Sequence, residues 1–88
     1  MARKVTLYTK ALSFCGGCKA AKRFFETRGF TDFDEVAIDL PENADTLQAL
    51  KDRGLASAPV LVIEEDGVEV AAWAGFQPHL FDEHFPRP

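Results

Sequence analysis

The chain has little cysteine, and what it has is concentrated. Its two cysteines stand three positions apart in 88 residues, a loop too small to act as a long-range staple, since a disulfide stabilises mainly by restricting long loops of the unfolded chain. Their role is therefore chemical. No stretch approaches the ~18 consecutive apolar residues that suggest a membrane-spanning helix. Met1-Ala2-Arg3-Lys4 leads into a strand-like run, not into the apolar segment of a secretory signal. From these absences we expect a soluble cytoplasmic protein. In that reducing compartment a persistent structural bridge is disfavoured and a transient catalytic one is expected. No internal repeat, low-complexity tract or linker is visible, and 88 residues at 47% hydrophobic content suffice for one compact domain, residues 1–88, and not for two.

The net charge of -4 conceals an asymmetry. Residues 1–28 carry seven basic side chains (Arg3, Lys4, Lys10, Lys19, Lys22, Arg23, Arg28) against Glu26, whereas residues 29–88 carry three basic and thirteen acidic ones. Both cysteines lie in the positive part. Such a field would hold a thiolate and steer an acidic partner; equally, these charges read as solvated faces of a soluble domain.

Arg3 to Thr9 alternates Val5 and Leu7 with Thr6 and Tyr8 and reads as a strand. After a loop from Lys10 to Phe14, Cys18, Ala21, Phe24 and Phe25 recur at helical spacing as far as Arg28, and Gly29 stands where a C-terminal cap belongs. That helix has Cys15 at its N-terminus. Phe33 to Asp39 reads as a second strand. Pro41 opens a second helix with Leu47 and Leu50 as its apolar stripe, ending at Gly54. Val60-Leu61-Val62-Ile63 reads as a buried central strand, and Asp66-Gly67 as a hairpin turn into a returning strand, Val68 to Trp73. A final helix from Gln77 or Pro78 to about Phe85 would face Leu80, Phe81 and Phe85 inward and stop at Pro86-Arg87-Pro88. The order β-α-β-α-β-β-α predicts an α/β fold, a four-stranded mixed sheet flanked by three helices.

A thiol attacks a disulfide as the thiolate, a minority species for an unperturbed cysteine at neutral pH. A helix beginning at Cys15 would direct unpaired N–H groups and the positive end of its dipole at that sulfur, and Lys10 and Lys19 would add charge. Cys15 then reads as the nucleophile. Cys18, one turn along and more buried, is placed to attack the mixed disulfide. Gly16 and Gly17 read as small residues that permit the turn into the helix, or else as a gap that leaves the sulfur open to a partner; the first reading is preferred. Phe14 is either a core anchor or part of an exposed contact rim. The competing chemistry is zinc held by Cys15, Cys18, His79 and His84, but the two halves lie much further apart than the roughly 12–15 residues of a zinc finger. Pro59 suits a strand start, where its missing N–H is harmless.

Val5-Thr6-Leu7-Tyr8-Thr9-Lys10, Cys15-Gly16-Gly17-Cys18, Ala58-Pro59-Val60 and Trp73-Ala74-Gly75-Phe76-Gln77-Pro78 together resemble the glutaredoxin-like proteins of the thioredoxin superfamily, most closely the NrdH-type redoxins. The last segment discriminates. Glutaredoxins usually carry a Gly-Gly and acidic pair there to hold glutathione, whereas NrdH-type proteins carry a Trp-Ser-Gly-Phe-Arg-Pro type segment. The resemblance implies a thioredoxin-like fold, Cys15 as attacking and Cys18 as resolving thiol, and Pro59 as a cis proline whose neighbour Ala58 offers backbone hydrogen bonds to an extended substrate. It implies that Trp73, Gly75, Phe76, Gln77 and Pro78 close the glutathione groove and support docking of a reductase; Lys10, by its charge, and Phe14, if it lies on the rim, are the further candidates for the partner site. It further implies a monomer with no bound cofactor. Electrons would pass from NADPH through a flavin-containing thioredoxin reductase to this chain and on to a class Ib ribonucleotide reductase, with neither nucleic acid nor membrane as partner. The alternative is a dithiol glutaredoxin served by glutathione or another low-molecular-weight thiol. Three departures from the family pattern stand out: a longer loop between Lys10 and Cys15, Gly-Gly between the cysteines, and Ala74 and Gln77 in place of Ser and Arg.

Overall fold

The alternation of Arg3–Thr9 sets the frame. In the computed structural model, which describes residues 2–86, this segment is strand β1 and buries Val5, Leu7 and Thr9 along one face. It is followed by α1 (Gly16–Thr27), β2 (Asp34–Ala37), α2 (Ala44–Asp52), β3 (Val60–Glu65), β4 (Val68–Ala74) and α3 (Pro78–His84). This is the order that the sequence predicts. β1 pairs in parallel with β2 and antiparallel with β3, and β4 returns antiparallel on β3, so the sheet reads β2-β1-β3-β4. Parallel neighbours need a long crossover; α1 supplies it, and its start is thereby brought to the C-terminal end of β1.

Side-chain alternation then sorts the helices onto two faces. Val5 and Leu7 of β1, Leu61 and Ile63 of β3 and Trp73 of β4 form one buried cluster with Ala21 and Phe25 of α1 and Phe81 and Phe85 around α3. Val60, from the other parity of β3, packs with Ile38 and with Leu50 of α2. Hence α1 and α3 cover one face and α2 the other, and β3 is apolar on both sides, as a central strand must be. The first cluster is dominated by phenylalanine. Phe25 alone lies 4.8–6.2 Å, centroid to centroid, from the rings of Phe24, Phe30, Phe33, Phe81 and Phe85. Asp66 and Gly67 both adopt positive φ, 52° and 83°, the backbone of a two-residue hairpin turn that matches the twist of its strands.

Element ends differ from expectation in several places, and β3, expected over Val60–Ile63, runs on to Glu65. The helix expected from Pro41 starts as a 3₁₀ turn, Pro41–Asn43, and becomes α-helical at Ala44. The side chain of Asn43 donates to the carbonyl of Ala37 at 2.7 Å and ties that tight turn to the end of β2. β2 is shorter than Phe33–Asp39: Phe33 turns its ring into the phenylalanine cluster, and the carboxylate of Asp39 is engaged elsewhere, as described below. Of the residues expected to stop α3, Arg87 and Pro88 lie outside the described residues; the helix ends at His84.

Part of the asymmetry of charge is taken up in local contacts. Lys22 pairs with Glu35 at 3.2 Å, and Glu35 also accepts from the buried hydroxyl of Thr9 at 2.9 Å, which links α1, β2 and the end of β1. Arg28 pairs with Asp82, donates to the carbonyl of Phe85 and stacks over Phe24. Arg3 donates to the carbonyl of His84.

Candidate active site

The loop after β1 delivers Cys15 in extended conformation, φ -140°, as the residue that caps α1. Its carbonyl accepts from the Lys19 amide at 3.2 Å, and its sulfur accepts from the Cys18 amide at 3.1 Å. A donor that a helix start leaves without an intrahelical partner is thus directed at Cys15 Sγ. Cys15 and Cys18 are joined as a disulfide. The two sulfurs differ in access: Cys15 is half-buried, whereas Cys18 is only 3% exposed. Cys15 is thus the sulfur that an approaching molecule can reach, and it is the one at the helix N-terminus, while Cys18 is enclosed.

Gly17 lies under Pro59. A Cβ on Gly17 would stand 2.8 Å from Cδ of Pro59 and 3.7 Å from Cβ of Phe76. The proline ring is rigid and buried, so any side chain at 17 would displace it. This corrects the preferred reading of the glycine pair. Gly17 serves close approach between the disulfide loop and the Pro59 loop, and not merely the turn; Gly16 meets only the edge of the Phe14 ring, at 3.4 Å.

The Ala58–Pro59 peptide is cis, as the resemblance implied. The carbonyl of Pro59 accepts from the amide of Gly75 at 2.7 Å, and the carbonyl of Ser57 accepts from the same amide at 3.2 Å. Gly75 needs its positive φ, 86°, to turn β4 toward α3 there. Phe76 follows, half-buried, 4.9 Å from the ring of Phe81 and 6.5 Å from that of Phe24. Gln77 folds its side-chain amide back onto the carbonyl of Ala74 at 2.8 Å, and Pro78 opens α3 at the surface. Ala58, Pro59, Gly75 and Phe76 are therefore brought together with the disulfide loop.

Trp73 is placed differently. It is 6% exposed, edge-on to Phe81 at 5.5 Å and stacked on His84 at 5.2 Å. Its indole belongs to the core, so the surface of the 73–78 segment is built by the residues that follow it. Lys10 is exposed and lines a cavity of about 230 Å³ with Ser13, Asp39 and Lys51. Phe14 is 82% exposed, with the Lys19 ammonium 5.0 Å from its ring centre. The choice left open for Phe14 thus falls on the rim. His79 is exposed on α3 and His84 is occupied by Trp73, and among the described residues no three His, Cys, Asp or Glu side chains gather as a metal-binding set.

One residue escaped the reading of the sequence. Asp39 accepts from the amides of Ala11, Leu12 and Ser13 at 2.7, 2.8 and 3.0 Å. These bonds, the one from Ala11 foremost, hold its carboxyl below the usual carboxylate range. Its signal in the sequence is slight, an aspartate at a strand end next to a loop of unusual length. Beside the disulfide, a groove of about 520 Å³ runs along α1, lined by Gly16, Ala20, Phe24 and Phe76 together with the cations Lys19 and Arg23.

Comparison with known proteins places this geometry. The glutaredoxin family pattern matches residues 5–68. The glutaredoxin-like protein NrdH of Salmonella typhimurium is 36% identical over 85 residues, covering 96% of this chain and 91% of that protein. The structure of NrdH-redoxin from Escherichia coli superposes with a TM-score of 0.74 at 32% identity, over 97% of this chain and 99% of the other. Mitochondrial thioredoxin 3 of Saccharomyces cerevisiae shares the fold at 18% identity, with a TM-score of 0.65 over 94% of this chain and 76% of the other.

Proposed function

The chain belongs to the glutaredoxin family as an NrdH-type redoxin and is a thiol-disulfide oxidoreductase; from that premise we propose that it is a dithiol electron donor to protein disulfides. In the reduced state the Cys15 thiolate attacks one sulfur of a client disulfide. That S–S bond breaks, a mixed disulfide forms, and the departing client sulfur takes up a proton. Cys18, once deprotonated, then attacks the Cys15 sulfur. The Cys15–Cys18 disulfide forms and the second client thiolate leaves, so the client gains two electrons and this chain loses two. Its oxidised product is the bridged form described above. Restoring the dithiol takes two electrons, which we assign to NADPH through a flavin-containing thioredoxin reductase. The client we assign is a class Ib ribonucleotide reductase, met by the monomer in the cytoplasm.

The observation that carries this reading is the segment Trp73–Pro78. It contains no acidic residue, so it offers no carboxylate to the ammonium of glutathione. Its Gly75 and Phe76 pack onto the Pro59 loop and Gly17. Pro59 and Phe76 thus meet the disulfide loop at Gly17, and with Ala58 they form the wall to which we assign an extended client peptide.

The test compares two reducing systems. NADPH with thioredoxin reductase, or glutathione with glutathione reductase and NADPH, is supplied to the full chain, and reduction of a protein disulfide is followed. We expect turnover with the first. Turnover with glutathione alone would replace this reading with the glutaredoxin one, and deglutathionylation that survives Cys18→Ser would mark the same outcome.

A further inference from the structure

Ala11, Leu12 and Ser13 donate all three of their amide hydrogens to one carboxylate, that of Asp39, which lies beyond the end of β2. The side chains on either side of Ser13 are apolar and face solvent: Leu12 is 70% and Phe14 82% exposed. Phe14 immediately precedes Cys15. We propose that Asp39 is a positioning residue whose carboxylate holds this loop as an apolar lip, Leu12 and Phe14, selecting client disulfides whose reactive cysteine is flanked by an apolar residue.

This rests on the donor reading above and names the chemistry of its client. The occupant of the lip follows from covalent reach. In a mixed disulfide the two Cα atoms lie about 4.4–6.8 Å apart, and the client residue next to its cysteine is only ~3.8 Å further along. That residue is therefore carried over the backbone beside Cys15. Pro59 and Phe76, already packed, stand against Gly17; Phe14 stands against Gly16, its ring 82% exposed with Lys19 above it. An apolar flank removes both its own surface and that of Phe14 from water. A loop of this length would disperse the two side chains over many positions; three bonds to a single charged acceptor fix its backbone, and bonds of that kind are about twice as strong as neutral ones.

The experiment uses two disulfide-bridged synthetic peptides, identical except for Phe or Ser beside the reactive cysteine. Each is mixed with the reduced protein, quenched in acid and alkylated to count thiols. Rates are normalised to those of dithiothreitol with the same peptides, which cancels the intrinsic reactivity of each disulfide. We expect the wild-type chain to favour the Phe peptide about fivefold, the size of a modest apolar burial. The preference should appear in the half-saturating peptide concentration and not in the limiting rate. Leu12→Ala with Phe14→Ala should abolish it, Asp39→Asn should abolish it, and the triple variant should lose nothing more, as coupled residues do. Gln48→Ala on exposed α2 should retain it. A preference that is absent in the wild type, that persists in Asp39→Asn, or that is lost additively overturns the proposal. The Leu12/Phe14 variant, altered only at exposed side chains, keeps the test decisive even where Asp39→Asn folds poorly. Failure to reduce either peptide overturns the donor reading itself, which separates the two failures.

Discussion

Two loops border the disulfide, and they are held in opposite ways. Residues 10–14 are fixed by a charge: three amides converge on Asp39, and the aromatic ring that this loop carries, Phe14, stays in solvent. Residues 74–77 are fixed by contact: Phe76 packs against Phe24 and Phe81, and Gly75 donates to the Pro59 carbonyl. The first loop turns its apolar side chains, Leu12 and Phe14, to solvent and is tied down by one ionised side chain. The second is an extension of the phenylalanine cluster. The redox site thus has one wall built from packing and one from electrostatics, and the two should respond to different insults.

The largest effect should come from undermining the packed wall. Phe81 is fully buried between Trp73, Phe76 and Phe25, so Phe81→Ala should cost about 3–5 kcal/mol, the usual range for a buried phenylalanine. Urea denaturation should register this as a lower midpoint at unchanged slope, and residues 10–14 should keep their amide shifts in whatever fraction stays folded. Next is Gly17→Ala, which sets a Cβ 2.8 Å from Pro59 Cδ. Forcing the two loops apart should cost ~1–3 kcal/mol, as overpacking does. Thermal unfolding measures the cost, and a slower reaction with a peptide disulfide would register the shift of Pro59.

Smaller still is the effect of protonating the charged wall. Because the Asp39 carboxyl is held below its ordinary range, its stabilising contribution is complete above that range and is lost as pH falls through the lowered value. The amide proton resonances of Ala11, Leu12 and Ser13 should therefore titrate together at a midpoint below that of an ordinary aspartate, while those of Gly75 and Phe76 stay still. In Asp39→Asn the common titration should disappear. The smallest effect on stability is expected at the tip of the lip. Phe14→Ala should change unfolding free energy by no more than ~0.5 kcal/mol, as exposed substitutions usually do, whatever it does to client choice.

The packed wall was far more legible in the sequence than the charged one. Period-two alternation in Val5–Thr9 and Val60–Ile63, helical recurrence of Cys18, Ala21 and Phe25, and Asp66-Gly67 are local signals, and each element appeared where they pointed. Cys15 at the start of α1 follows from the same local logic. What sequence could not disclose depends on pairs that meet only after folding. Asp39 and the Ala11 amide are 28 residues apart, and Gly17 meets Pro59 from the other side of β2 and α2 in the chain. Trp73 ends the returning strand, where a large side chain suits a cover over the sheet as well as a partner contact; its burial depends on α3 returning Phe81 and His84 over it. Phe14 could be assigned to the rim only once the loop's path was known, since its neighbours in the chain suit either an inward or an outward ring.

The sheet's two outer strands carry a consequence for how the protein behaves in a crowded solution. β2 is four residues long and begins with exposed Asp34 and Glu35. β4 presents exposed Val68 and Val70, but the ladder to β3 shifts register at Ile63/Glu64, and Glu69 is clamped by Arg53 in two bonds of 2.9 and 2.7 Å. Short length, charge and an irregular ladder are what keep open strand edges from zipping to one another. Along both outer edges the sheet thus carries features that discourage one copy from pairing with another.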